Sequence, residues 1–198
     1  RQDSYKIQPD FRNNRAELDT VSNSILLVKR NEDVKITGIY ISGYASPEGS
    51  MAHNLTLSEN RAKALAAAIK VHDSLWESGT LSYDMSQYEI ARTYFQWLCD
   101  HCRYDNAAAD DSASHLAYGA LVSGLAVCDG YTGAYNLLLK LEGIECTSLF
   151  NDSHIWTLAT LDGTQYHIDV TWGDQYGRTD LRYFGMSEEP VSYTHLRA

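Results

Sequence analysis

The sequence predicts an α+β fold, on three observations. Apolar residues recur at spacings of three and four in several separated segments, the pattern of helices with one buried face. Toward the C-terminal end, two runs of alternating character are joined by Asp162-Gly163, a strong hairpin turn signal. The 198 residues are 44% apolar with only three prolines and thirteen glycines, which is material for a packed core. With 26 acidic and 16 basic side chains, the net charge of -10 repels a phosphate backbone and argues against nucleic acid as a partner. The longest apolar runs, residues 24–28 and 117–127, fall short of the roughly 18 residues a membrane helix needs, so no transmembrane segment is expected. The chain begins without Met or a signal-peptide apolar run, so any export signal is expected to be absent from this sequence.

The first seventy residues read as strand, helix, strand, helix. Tyr5-Lys6-Ile7 is strand-like, and Leu18, Val21, Ile25 and Val28 form one buried helical stripe. Residues 34–41 alternate with period two and run into the loop Gly43-Tyr44-Ala45-Ser46-Pro47-Glu48-Gly49. Ser58 is placed to cap an Ala-rich helix, this half of the chain ends near Lys70, and residues 71–82 read as a helix end and connector. This loop, Asn54 and the segment from Leu57 to Leu65 resemble the OmpA-like peptidoglycan-binding domain over about residues 5–70. In that family a loop aspartate and a helix arginine clasp the diaminopimelate of the stem peptide. Arg61 matches the arginine, whereas Ser46 stands at the aspartate position and has no carboxylate to pair with an ammonium. The resemblance implies peptidoglycan as a partner and a periplasmic or cell-surface location in a bacterium. The alternative is a truncated structural piece in which Arg61 is an ordinary solvated residue.

Beyond Met85 a second helix starts at Ser86, whose spacing to Glu89 is that of a capping box. Tyr88, Ala91, Tyr94, Phe95 and Leu98 fall on its buried face, Asp105 and Asn106 end it, and residues 107–114 form a loop. A third helix runs over residues 128–141, closed by Gly143, followed by strands near residues 146–149, 154–161 and 165–171.

Cys128 begins that third helix, where unpaired amides and the helix dipole favour negative charge, and a thiolate is the nucleophilic form of cysteine. Its other reading is a buried, inert thiol. A base must come from seven histidines. A two-residue turn at Asp162-Gly163 sets Leu161 opposite Thr164, His154 opposite Thr171 and Trp156 opposite Asp169. His154 and Asp169 are then diagonal neighbours on one face, within reach of each other. His167 shares that face, so spacing leaves it as a second candidate. Thiol, imidazole and carboxylate together meet the nucleophile, base and orienter logic of acyl transfer.

Cys128-Asp129-Gly130-Tyr131, His154-Ile155-Trp156 and Tyr166-His167-Ile168-Asp169-Val170-Thr171-Trp172 resemble, in order, the three motif blocks of the transglutaminase-like superfamily. The resemblance runs from about Tyr83 to Ser187 and implies a papain-like core, with the cysteine helix packed on an antiparallel sheet that bears histidine and aspartate. It implies a thioester formed by Cys128 on a peptide or amide carbonyl, His154 as proton donor to the leaving amine, and Asp169 as orienter. It leaves open whether water (protease, amidase) or an amine (transglutaminase) resolves that thioester. Ile155 replaces a common alanine and Thr157 a common asparagine, and the chain stops where the family usually continues into further sheet.

The expected organisation is a partial OmpA-like domain at 1–70, a connector at 71–82, a C-terminally truncated transglutaminase-like domain at 83–191, and a non-native tail at 192–198 that includes His195. Cys99-Asp100-His101-Cys102 has redox or metal-ligand spacing, with Cys128 and Cys146 as nominal further ligands, but lacks the second close pair of a zinc ribbon. No metal, nucleotide or organic cofactor is implied. Trp97, Trp156 and Trp172 read as core or cleft-wall residues. The non-enzymatic alternative is an envelope binding or structural module with the same fold.

Overall fold

A computed structural model describes residues 50–175 and 178–187. The two strands, helix and loop expected before residue 50, Ser46 among them, and the tail lie outside the described residues. Over the rest, helices and strands pack around a main apolar core, with a smaller cluster at Trp156 and Met186, in a mixed α and β architecture.

Helix α1 (Met51–Glu77) opens at Ser50, whose hydroxyl accepts from the His53 amide, eight residues before Ser58, the cap expected from sequence. Ser58 lies inside the helix and donates back to the Leu55 carbonyl. The helix continues without a break through Lys70 and into the expected connector as far as Glu77. Its second half buries Ala68, Ile69 and His72 against the main core. Helix α2 (Gln87–His101) has both bonds of the capping box, Ser86 with Glu89, and buries Ala91, Tyr94, Phe95 and Leu98. It ends at Cys102 rather than near Asp105, because the next two residues form strand β1 (Arg103–Tyr104), paired in parallel with β2 (Leu125–Ala126). A short 3-10 turn (Ala113–His115) and a π-helical turn (Gly119–Ser123) connect β1 to β2.

Helix α3 (Cys128–Leu141) is the central element. Gly130, Tyr131, Thr132, Ala134, Tyr135, Asn136, Leu138, Leu139 and Leu141 are all buried, so it is covered on most of its circumference. It contacts α1, α2 and the main sheet. Each leucine side chain taken fully out of water stabilises by about 1.5–3 kcal/mol. The core tyrosines carry hydroxyls that need partners: Tyr135 donates to the Ala91 carbonyl at 2.9 Å, and Tyr131 to Asp174 at 2.6 Å. Gly143 closes the helix at φ 71°, a conformation that a side chain disfavours.

The main sheet has the order β3-β4-β5, all antiparallel: β3 (Cys146–Phe150), β4 (Ile155–Leu161) and β5 (Thr164–Ile168). Asp162 and Gly163 both have positive φ (51° and 84°), and Leu161 pairs with Thr164 as the two-residue turn requires. The ladder stops at Thr157 opposite Ile168. The pairings expected beyond it, His154 with Thr171 and Trp156 with Asp169, do not form, because the chain turns at Asp169 into helix α4 (Val170–Gly173). A 3-10 turn (Leu181–Tyr183) follows. No helix among the described residues is long and apolar enough to cross a membrane.

Candidate active site

Cys128 is the first residue of α3 and is partly exposed, whereas the other three cysteines are buried. Val127, the capping residue, offers no side-chain acceptor, so the first-turn amides point toward the thiol's surroundings without a cap. The helix start is held down by Gly130: a Cβ there would lie 2.3 Å from the Ser114 carbonyl oxygen and 2.9 Å from that of Leu116. Only a glycine lets the loop before β2 approach this closely.

His154 sits just before β4, and Asp169 just after β5. The hairpin brings the two strand ends side by side, and His154 Nε2 lies 2.7 Å from Asp169 Oδ2. Asp169 is fully buried, so its charge needs partners. Its second oxygen, Oδ1, accepts from the Trp172 amide at 3.0 Å and caps α4, while its own amide donates to the Tyr183 carbonyl. The cap explains why the strand ends here, since a carboxylate that binds the backbone three residues on competes with the ladder. The imidazole stands between two indoles, stacked on Trp156 (centroids 6.1 Å, 17°) and edge-on to Trp172 (6.0 Å, 90°).

Cys128 is a neighbour of His154, close enough to act on the charge of its imidazole. Burial pushes the imidazole toward its neutral form, but its bond to the Asp169 carboxylate and the influence of Cys128, and then their charges, outweigh it and raise its pKa from 6.5 to about 9. On its other side Cys128 Sγ lies 3.9 Å from Asp129 Oδ1, and the second oxygen of Asp129 is 3.5 Å from His115.

Cys128, His154 and Asp169 are therefore brought together. His167 is not part of the group: its Nδ1 accepts from Trp156 Nε1 at 3.0 Å, and its backbone bridges to Met186. Cys99 and Cys102 are buried thiols whose pKa values burial raises to about 12 and about 11, contrary to the needs of a redox or ligating pair. Among the described residues, no three His, Cys, Asp or Glu side chains cluster to hold a metal. Arg61 lies in α1, half-buried.

Sequence reasoning missed Thr132 and Asn136, which bind the sheet from the face of α3 that carries Cys128. Thr132 donates to the Ile155 carbonyl at 3.1 Å. Asn136 accepts from Thr157 at 2.7 Å and donates to Ser148 at 3.0 Å. The signal was a polar residue every fourth position along an otherwise apolar helix.

Residues 76–169 match the model of the transglutaminase-like superfamily, a stretch that encloses all three groups and ends on Asp169. The chain is similar to the kyphoscoliosis peptidase of Mus musculus, 28% identical over 144 residues that make up 63% of this chain and 22% of that protein. It is similar to the kyphoscoliosis peptidase of Homo sapiens, 28% identical over 103 residues, or 43% of this chain and 16% of that one. The chain thus matches about a fifth of the length of these relatives. A solved structure described as "Crystal structure of a TGase" aligns with 86% of this chain and 42% of its own, at 15% identity and a TM-score of 0.45.

Proposed function

We propose, from the transglutaminase-like superfamily domain that this chain carries, that it catalyses cysteine-dependent acyl transfer on peptide or amide substrates. The observation that carries the reading is the His154–Asp169 bond of 2.7 Å with the helix-start thiol of Cys128 in reach of the same imidazole. In this reading the resting site holds a thiolate and an imidazolium. The sulfur attacks the substrate carbonyl carbon, and the developing oxyanion meets the uncapped first-turn amides of α3, that of Cys128 among them. His154 passes its proton to the departing amine, the C–N bond breaks, and a thioester remains on Cys128. The now neutral imidazole takes a proton from the incoming nucleophile as that attacks the thioester, which restores the ion pair. Asp169 holds the tautomer and stabilises the charged ring throughout. The peptidase name of the two relatives favours water over an amine as that nucleophile.

The test is incubation of the chain with glutamine-containing peptides, with and without a primary amine, read by mass spectrometry. The reading expects a cleaved, deamidated or amine-linked product that Cys128→Ala eliminates. A chain that yields no product and no Cys128 acyl adduct with any peptide would be a scaffold. The OmpA-like motif near residues 43–65 extends the proposal to a site of action at the bacterial cell envelope. Co-sedimentation with purified peptidoglycan, reduced in Arg61→Ala, is the result that this extension expects.

A further inference from the structure

We infer that Thr132 and Asn136 are positioning residues that set where the Cys128 sulfur stands relative to His154, an inference that rests on the cysteine-dependent reading above. Cys128, Thr132 and Asn136 recur every fourth residue and so lie along one side of α3. Thr132 is 3% exposed and Asn136 8%, on a helix whose other buried positions are mainly apolar or aromatic. Each has its polar atoms committed to the sheet that leads to the base. The Thr132 hydroxyl donates to the carbonyl of Ile155, the residue directly after His154. Asn136 accepts from Thr157, two residues further along β4, and donates to Ser148 on the neighbouring strand.

Stability alone gives little reason for this stripe. Hydrogen bonds made on folding replace bonds to water, and for the side-chain pairs of Asn136 with Thr157 and Ser148, apolar side chains of the same shape at both partners are often as stable. A hydrogen bond adds what an apolar contact lacks, a fixed distance and direction. One residue of slippage along a helix is 1.5 Å, and rotation accompanies it. Displacements of about 1 Å between reacting groups can cost around a hundredfold in rate. The two side chains pin α3 against β4 in both axial shift and rotation. The pin nearest to the thiol grips the strand one residue from the imidazole.

The test compares Thr132→Val, which keeps the shape and removes the hydroxyl, with Thr132→Ser, which keeps the hydroxyl. The readout is the iodoacetamide alkylation rate of Cys128 across pH, mapped by mass spectrometry. In Thr132→Val the rate near pH 6, where only a paired thiol reacts, should fall about tenfold, while the rate near pH 9.5, where ordinary thiols ionise, should stay within about twofold. Thr132→Ser should restore the low-pH rate, and Asn136→Leu should reproduce the loss. If Thr132→Val does not fold, Thr132→Ala against Thr132→Ser carries the same comparison. An unaltered low-pH rate in the valine or alanine variant overturns the positioning role and leaves the cysteine reading standing. A parent chain with no low-pH reactivity overturns the cysteine reading itself.

Discussion

Burial alone would hold the imidazole of His154 neutral, yet the carboxylate of Asp169 and the thiol of Cys128 together raise its pKa to about 9. A group whose pKa rises on folding adds stability that is fully present below its unfolded value, about 6.5, and is lost as pH climbs through the folded value. Thermal unfolding should therefore show the parent chain losing stability between about pH 6.5 and 9, with a flatter profile in Asp169→Asn. NMR titration should place the His154 transition of that variant well below the parent's. That Cys128, His154 and Asp169 would come near one another was legible from sequence because each sits at a punctuation mark: a helix start, a strand start and the end of a hairpin whose turn fixes the register. Choosing His154 rather than His167 as the imidazole beside Asp169 was not legible from spacing. It depends on Trp156 taking up His167 across the hairpin.

At the scale of elements, local signals served where a cap or turn is written in the chain, as in the Ser86 capping box and the Asp162-Gly163 turn. They failed where a distant partner decides. Arg103 and Tyr104 leave the helical path because Leu125 and Ala126 offer a parallel strand, which no local pattern announces. Residues 165–171 are rich in β-branched and aromatic types and read as one strand, but Asp169 caps Trp172 and ends it. The start of α3 is held by close approach, which gives a direct expectation. Gly130→Ala would drive a methyl group into the Ser114 carbonyl, and chemical denaturation should report a loss of about 2 kcal/mol or more. Loss of Ser86→Ala should be milder, about 1 kcal/mol, since it removes a cap without creating a clash.

At the scale of the molecule, α1 crosses the boundary that sequence places near residue 70 and joins the core that carries the site. Its link to the rest is polar as well as apolar. Glu142, just past the end of α3, accepts from Trp76 Nε1 at 2.9 Å and from the Tyr94 hydroxyl, and faces His72 Nε2 at 3.3 Å. Composition shifts along the chain mark where motifs begin, and give no sign that one helix spans two of them. Glu142→Ala removes an acceptor shared by α1 and α2, so a loss of about 3 kcal/mol is expected in thermal or denaturant unfolding. Glu142→Gln, which keeps an acceptor oxygen, should lose less.

The alkylation rate of Cys128 against pH, in the parent chain and in His154→Ala, bears most directly on the central claim that a thiolate and imidazolium pair occupies the site. The account predicts ready alkylation well below about pH 7 and its disappearance in the mutant, whose thiol should react only as an ordinary one does, near pH 8.5. A Cys128 with the same profile in both chains, or one protected until the protein unfolds, would contradict it.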